Sequence, residues 1–175
     1  MSDLITESYR KQQAALHAGG NYGTAALAFG PIVQSLLTRL QPHSLLDYGC
    51  GSQRSLLKAI SLPTDALYEG YDPAVADYAE PPLPAELVVC IDVLEHIEPS
   101  LLANVLDHLA SLCDPFGFFS VHTGPARKTL PDGRNAHLTQ QPQEWWLPLL
   151  EQRFRVLELH PVPKKGFYVL VRARQ

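Results

Sequence analysis

The chain has 175 residues, of which 46% are hydrophobic and 18% are charged, and its formal net charge is −4. These values predict one globular domain over residues 1–175, exclude a disordered chain, and argue against a broad nucleic-acid-binding surface. No apolar run reaches the roughly 20 residues of a membrane span, and the polar N-terminus has no signal-peptide core. The three cysteines form no CxxC pair, which predicts a cytoplasmic protein without a disulfide scaffold or structural zinc.

Apolar periodicity predicts helices and strands that alternate along most of the chain. Pro31 is expected to be the first residue of the second helix, because its fixed φ suits that position. In chain order the prediction is a helix over 1–20, a helix over 31–40, a strand over 44–48, a helix over 53–60, strands over 67–71 and 86–92, a helix over 99–113, a strand over 117–122, a helix over 142–153, and strands over 154–160 and 167–173.

This alternation predicts an α/β fold with a parallel sheet and right-handed crossovers. The nearly continuous apolar run at 86–92 is typical of a parallel strand that is buried on both faces. Only the short segment 161–166 joins the last two strands, which predicts a hairpin. We therefore expect a mostly parallel sheet that ends in an antiparallel C-terminal hairpin.

A glycine turn follows the first strand, where Gly49-Cys50-Gly51 comes directly after Asp47 and Tyr48. Ligands in open α/β sheets bind at the C-terminal strand ends, and glycine lets the backbone approach a ligand closely. Asp72 ends the next strand, where an acidic side chain is placed to accept hydrogen bonds from ribose hydroxyls. Arg54 stands where a GxGxxG fingerprint has its third glycine, which argues against an NAD or FAD enzyme.

Three motifs together resemble those of class I S-adenosylmethionine-dependent methyltransferases: DYGCG at 47–51, YEGYDPA at 68–74 and CIDVLEHIEP at 90–99. The resemblance covers about residues 40–125, and the terminal hairpin matches the end of that family's sheet. It implies a Rossmann-like fold and the cofactor S-adenosylmethionine. The cofactor-binding residues that it implies are Tyr22, Asp47, Gly49, Cys50, Gly51, Asp72, Pro73, Asp92, Val93 and Leu94.

The resemblance also implies a role for each part of this set. Asp47 and the two glycines of the turn border the methionine part of the cofactor, and Asp72 holds the ribose hydroxyls. Residues 92–94 line the methyl-transfer site. Residues 1–30, with His17 and Tyr22, are expected to fold over the cofactor as an N-terminal lid.

One segment departs from the family pattern. Only the 13 residues 73–85 separate Asp72 from the strand at 86–92, and four of them are prolines. A full βαβ unit needs about 30 residues. We therefore expect that one helix–strand unit after the second strand is absent, which leaves open how the adenine is held.

The connection over 123–141 is predicted to bind the methyl acceptor. It follows the strand at 117–122, it is long for a connection, and it is cationic in an otherwise acidic chain. Histidine acts as a general base near neutral pH, and arginine pairs with carboxylate or phosphate groups. The prediction is O- or N-methylation of a small-molecule or glycan-like acceptor, and the residues predicted to be catalytic are His122, His137 and Arg134.

Two other functions stay open at this stage. The first is a non-catalytic methyltransferase-like binding module that serves a complex. The second follows from a similarity to small-RNA 3′-terminal 2′-O-methyltransferases, which act on a nucleic-acid end. In that case Asp92, Glu95, His96 and His137 would bind a divalent metal. We assign no metal ligand, because DVLEHI is a common turn of the wider superfamily.

Overall fold

The computed structural model describes residues 3–19 and 24–174. Two 3₁₀ turns, Ala76–Tyr78 and Leu94–His96, accompany the regular elements. The helices and strands are α1 (Glu7–Ala18), α2 (Ala26–Leu40), β1 (Ser44–Tyr48), β2 (Leu67–Tyr71), β3 (Ala85–Ile91), α3 (Leu102–Leu112), β4 (Cys113–His122), α4 (Gln143–Glu151), β5 (Phe154–Val162) and β6 (Gly166–Ala173).

The sheet has six strands in the order β2-β1-β3-β4-β6-β5. The strands β1 to β4 are parallel to one another, whereas β6 is antiparallel to both β4 and β5. This confirms the predicted Rossmann-like, mostly parallel sheet with an antiparallel C-terminal hairpin. Because parallel strands share a direction, the C-terminal ends of β1 to β4 meet at one edge of the sheet.

The predicted loss of a helix–strand unit is also confirmed. Between β2 and β3 the chain forms only the 3₁₀ turn Ala76–Tyr78 and an extended, proline-rich segment. In the sheet, β2 pairs with β1 alone. The sheet therefore ends at the strand that carries Asp72 at its C-terminus.

Side chains that alternate along the strands supply the core on both faces of the sheet. Leu45 and Leu87 pack on one face against α2, while Leu46 and Val88 pack on the other against α3 and α4. All four are at most 1% exposed, which explains the continuous apolar runs in the sequence. Within the described residues, no helix combines the length and apolarity needed to cross a lipid bilayer.

Two details of the prediction are wrong. The segment 53–60 forms successive turns instead of a helix, because Arg54 has a left-handed φ of 44° that interrupts helical geometry. The helix α2 begins at Ala26, so Pro31 lies inside it instead of at its start. Apolar contacts extend the helix toward its N-terminus: Phe29 packs edge-on against Phe118, with ring centroids 6.1 Å apart.

Candidate active site

A cavity of about 540 Å³ opens at the edge where the parallel strands end. Its walls come from the turns after β1, β2 and β3, from the segment after β4, and from one side of α1. Most of the residues predicted to bind cofactor or acceptor lie here together. Those that line the cavity are Asp47, Gly49, Cys50, Asp72, Pro73, Asp92, Val93, His122 and His137.

The glycine turn after β1 adopts a backbone that other residues rarely adopt. Gly49 has a φ of 80° and Gly51 a φ of 61°. A Cβ atom on Gly49 would lie 2.3 Å from a methyl group of Val93. The Gly49 and Cys50 amides both donate to the carbonyl of Tyr71, at 2.7 and 3.1 Å. The two glycines therefore let this turn pack closely against β2 and against the turn after β3.

Asp72 presents a buried carboxylate at the end of β2. Its oxygens accept hydrogen bonds from the Gly51 amide at 3.1 Å and from the Ala74 amide at 2.9 Å. The His17 imidazole of α1 lies 3.6 Å from the same carboxylate. Burial raises the pKa of Asp72, while His17 and the two amides act in the opposite direction. The carboxylate is thus fixed in orientation by the backbone around it.

Asp47, at the end of β1, is a second buried carboxyl group. Only 4% of its surface is exposed, and the hydroxyl of Tyr68 donates to it at 2.8 Å. Burial raises the pKa of Asp47 to about 7. A cationic ligand group beside it would favour its ionised form.

The turn after β3 places a third carboxyl group between these acids and the histidines. Asp92 has a left-handed φ of 52°, a strained conformation typical of functional sites. The hydroxyl of Ser120 accepts a hydrogen bond from the Asp92 amide at 3.0 Å. Burial raises the pKa of Asp92, and His122 and His137 act against this increase.

Glu95 lies beneath this turn and holds the end of β4 in place. Its side chain is 0% exposed, and its Oε1 accepts from the His122 amide at 2.7 Å. Burial and the neighbouring Asp92 raise the pKa of Glu95 well above its usual range. Glu95 therefore connects the turn after β3 to the end of β4.

Backbone contacts through Gly124 place His122 and His137 in opposite tautomers. The Gly124 amide donates to Nδ1 of His122 at 3.1 Å, so this nitrogen carries the lone pair and Nε2 carries the proton. Nδ1 of His137 lies 2.6 Å from the Gly124 carbonyl, so it must donate and leaves a lone pair on Nε2. Burial lowers the pKa of His137 and keeps it neutral. Of the two predicted bases, His137 has the tautomer with a proton-accepting Nε2.

Asn135 positions the segment that carries His137. Its Oδ1 accepts from the Ala126 and His137 amides, and its Nδ2 donates to the Ala126 carbonyl, all at 2.9 Å. The edge of the neutral imidazole of His96 packs against His137, with ring centroids 4.6 Å apart. Burial lowers the pKa of His96 to about 3. Both contacts limit the orientations that His137 can adopt.

Replacement of Asn135 with alanine should lower kcat about tenfold, because His137 loses its backbone anchor while no cofactor contact changes. The affinity for S-adenosylhomocysteine, measured by calorimetry, should stay at its wild-type value. The matched control is Gln34→Ala. The Gln34 side chain also donates to the carbonyl and accepts from the amide of one residue, Ser61, and it does not line the cavity. Equal kcat values for the two variants would contradict the positioning role of Asn135.

Three predicted residues do not line the cavity. Leu94 is fully buried in the core, and Gly51 contributes through its amide to Asp72. Arg134 forms an ion pair with Asp132 at 2.6 Å on the surface, so the structure does not bring it to the histidines. Tyr22 lies outside the described residues. Three other residues belong to the site but were not predicted from the sequence: Ser120, Asn135 and Lys165.

The proposed metal ligands do not converge in this geometry. Glu95 accepts from a backbone amide, and Nδ1 of His96 lies 2.7 Å from the Ala136 carbonyl, to which it donates. Among residues 3–19 and 24–174, no group of three or more His, Cys, Asp or Glu side chains is arranged to hold a metal ion.

The helix α1 forms one wall of the cavity and is fastened to the turn before α3. The amide and hydroxyl of Thr6 donate to the Glu98 carboxylate at 2.9 and 2.8 Å. The hydroxyl of Tyr9 donates to the His96 carbonyl at 2.6 Å. The α1-side residues that line the cavity are Leu4, Ile5, Tyr9, Gln13 and His17.

Comparisons with known proteins agree with this arrangement. Residues 23–162 match a family model described as a methyltransferase domain, whereas no curated protein sequence matches the chain. Solved structures of low identity share the fold. The 1,6-didemethyltoxoflavin-N1-methyltransferase of Burkholderia thailandensis, solved with its substrate and S-adenosylhomocysteine, is 14% identical with a TM-score of 0.66, and the match covers 100% of this chain and 93% of that one.

Two further structures extend this likeness. The magnesium protoporphyrin IX methyltransferase of Synechocystis PCC 6803, solved with S-adenosylmethionine, is 15% identical with a TM-score of 0.57, over 99% of this chain and 87% of that one. A SAM-dependent methyltransferase from Aquifex aeolicus is 17% identical with a TM-score of 0.59, over 92% and 98%. The family match spans most of the chain and includes the three motifs predicted to be functional. The chain therefore belongs to this family of methyltransferase domains, of the class I, S-adenosylmethionine-dependent type.

Proposed function

We propose that the chain transfers the methyl group of S-adenosylmethionine to an oxygen or nitrogen atom of a small polar molecule, with His137 as the general base. The observation that carries this proposal is the contact between Nδ1 of His137 and the Gly124 carbonyl, which leaves the lone pair on Nε2. His137 lines the same cavity as the glycine turn and Asp72. A glycan-like acceptor would suit the same cavity. We also propose a cytoplasmic location, because all three cysteines are free and buried.

The residues present fit the cofactor. The backbone of Gly49 lines the cavity, and the oriented carboxylate of Asp72 can accept from vicinal hydroxyls. The sulfonium and amino groups are cationic, and the carboxyl groups of Asp47, Asp72 and Asp92 line the cavity. The charges of the cofactor and this part of the site are therefore complementary.

The adenine would lie beyond Asp72, where the shortened connection after β2 leaves no further strand. Apolar side chains of Leu4, Pro73, Ala74 and Val105 are among those that line the cavity. Because Thr6 is fastened to Glu98, α1 holds Leu4 in this wall. We therefore propose that α1, within the predicted lid of residues 1–30, encloses the adenine in place of the absent helix–strand unit.

When bound, S-adenosylmethionine supplies an activated methyl group on a sulfonium sulfur. His137 would accept, at Nε2, the proton of the acceptor's hydroxyl or amine as that oxygen or nitrogen takes the methyl group. The bond between the methyl carbon and sulfur would break, with S-adenosylhomocysteine as the leaving group. The Asp92 carboxyl group, which acts to raise the pKa of His137 against the effect of burial, stabilises the resulting imidazolium. The walls of the cavity align the reactants and exclude water.

The direct test incubates the protein with a metabolite extract and S-adenosylmethionine that carries an isotopically labelled methyl group. Mass spectrometry should show a small molecule that gains one labelled methyl, and calorimetry should show binding of S-adenosylmethionine and S-adenosylhomocysteine. Binding without methylation of any small molecule would contradict the proposed acceptor class. Absence of any binding would favour the non-catalytic module.

Replacement of Asp72 with asparagine should weaken S-adenosylhomocysteine binding by about ten- to a hundredfold. The variant loses the charge that strengthens hydrogen bonds from the ribose hydroxyls, and one acceptor oxygen becomes a donor. Calorimetry measures the loss. The control is Asp77→Asn, which makes the same change at an exposed position of the next turn. Equal affinities for the two variants would place the ribose elsewhere.

A further inference from the structure

Three cationic side chains, those of Arg127, Lys128 and Lys165, line the cavity. Arg127 belongs to the segment after β4, and Lys165 belongs to the turn between β5 and β6. Neither forms an ion pair with another of the described residues. The sequence predicts an anion-binding role for the 123–141 segment, whereas Lys165 lies in the hairpin connection 161–166, which is predicted only as a turn between two strands.

Close backbone packing brings Lys165 to the cavity. Gly166 pairs with His122 at the end of β4, and a Cβ atom on Gly166 would lie 2.0 Å from the carbonyl oxygen of Val121. The Lys165 carbonyl accepts from the Thr123 amide at 2.9 Å. Only glycine permits this approach at position 166. Because Gly166 pairs with His122, the preceding residue, Lys165, lies next to the end of β4.

Asn135 anchors the backbone next to Arg127. Ala126, the neighbour of Arg127, is held at both its amide and its carbonyl by Asn135, which also binds the His137 amide. The backbone beside Arg127 is therefore tied to that of His137. Two independent anchors, one for each cation, place Arg127 and Lys165 around the proposed base.

The charges on the two sides of the cavity are unequal. Asp47 and Asp72 lie on the side of β1 and β2, where we place the cationic cofactor. Arg127 and Lys165 belong to the segments that follow β4 and β5, and the charge of Lys165 lowers the pKa of Asp92. Lys128, which also lines the cavity, lowers the pKa of His17 beside Asp72. An anionic partner on the histidine side would complete the charge complementarity of the cavity.

A smaller cavity of about 60 Å³ adjoins the histidine side. It shares His122, Asp92 and Lys165 with the main cavity. Its remaining walls are apolar and include Phe29, Val121, Val162 and Phe167. This side cavity offers space for a small apolar group of the acceptor, next to Lys165.

We infer that the methyl acceptor is an anion whose carboxylate or phosphate group binds Arg127 and Lys165 at the mouth of the cavity. Its reacting hydroxyl or amine lies at His137, and an apolar part of the molecule enters the side cavity. Arginine and lysine both bind these two anions, arginine in a bidentate manner. The inference rests on the proposed methyltransferase function and names its substrate class.

The test titrates the protein, saturated with S-adenosylhomocysteine, with inorganic phosphate and separately with benzoate at low ionic strength. Chemical shifts of the His122 and His137 side chains report binding near the base. We expect at least one of the two anions to bind in the millimolar range, and the stronger of them identifies the preferred anionic group. Arg127→Gln and Lys165→Gln should each weaken that binding about tenfold, with unchanged affinity for S-adenosylhomocysteine.

The matched control is Lys164→Gly, which removes the same charge from the neighbouring residue of the turn. Lys164 does not line the cavity, and glycine suits its left-handed φ of 63°. This variant should bind both anions like the wild type. If the protein binds S-adenosylhomocysteine but neither anion shifts the histidines, or if all three variants behave alike, the anionic acceptor is overturned while the methyltransferase proposal stands. Failure to bind S-adenosylhomocysteine would overturn the proposed function and this inference with it.

Discussion

Replacement of His137 with alanine is expected to lower kcat by about 10²- to 10⁴-fold, the usual contribution of a general base. The affinity for S-adenosylhomocysteine should not change, because His137 lies on the acceptor side of the cavity. The measurement is the initial rate of methylation of the acceptor identified with labelled cofactor, together with calorimetry of the cofactor product. His43→Ala, at an exposed position before β1, is the control.

His122→Ala separates the two candidate bases. Nδ1 of His122 accepts from the Gly124 amide, so its Nε2 carries a proton and cannot remove another. We therefore expect a loss of about tenfold or less, caused by a looser Gly124. A larger loss in His122→Ala than in His137→Ala would assign the base to His122.

The pH dependence gives a second check on the same residue. Burial holds the pKa of His137 below its ordinary value of 6.5, and only the neutral imidazole can accept a proton. The wild-type rate should therefore fall as the pH decreases through this pKa, and it should be level above it. In His137→Ala the residual rate should lose this dependence, whereas a variant that is merely less stable would retain it.

Replacement of Asp47 with asparagine is expected to stabilise the protein at pH 8 and to abolish most cofactor binding. The folded-state pKa is about 7, against an ordinary value of 3.8. The folded protein therefore binds this proton more tightly than the unfolded chain, and stability is lost as the pH rises from about 4 to about 7. A shift of this size corresponds to about 4 kcal/mol.

The measurement is urea unfolding of Asp47→Asn and of the wild type at pH 5 and pH 8. Asparagine still accepts from the Tyr68 hydroxyl but carries no charge to bury. The free energy of unfolding of the variant should therefore depend less on pH, by up to about 3 kcal/mol between the two conditions, because two pH units separate pH 5 from the folded-state pKa of about 7. Asp65→Asn, at an exposed position, is the control. The same pH dependence in all three proteins would contradict a raised pKa at Asp47.

The sheet and the cofactor side of the site could be predicted because local features determine them. A buried parallel strand is a continuous apolar run, and the turn that follows it must contain glycine where the backbone approaches other atoms. The interval 73–85 is too short for a helix and a strand, so the absent unit could be predicted by counting. The failed helix at 53–60 depends on Arg54, whose left-handed backbone has no signal in the apolar pattern.

The acceptor side could be predicted only in part, because its geometry depends on contacts between distant segments. The sequence predicts that two histidines follow β4, but it contains no information about which nitrogen of each ring carries the proton. Lys165 reaches the cavity through the packing of Gly166 against β4, which depends on the register of the hairpin. The sequence did contain a signal against a catalytic role for Arg134, because Asp132 lies two residues away and forms an ion pair with it.

The contact of both histidines with Gly124 affects how mutational data on this protein should be interpreted. The main-chain amide and carbonyl of Gly124 determine which histidine has a proton-accepting Nε2. Every amino acid except proline has the amide that donates to His122. Gly124 does not need a left-handed φ, and an added Cβ atom would meet His122 at an ordinary 3.4 Å. A saturation scan should therefore find position 124 tolerant and position 137 intolerant, although position 124 determines which imidazole reacts. Among single substitutions there, Gly124→Pro is the one that removes the donor and so tests this dependence.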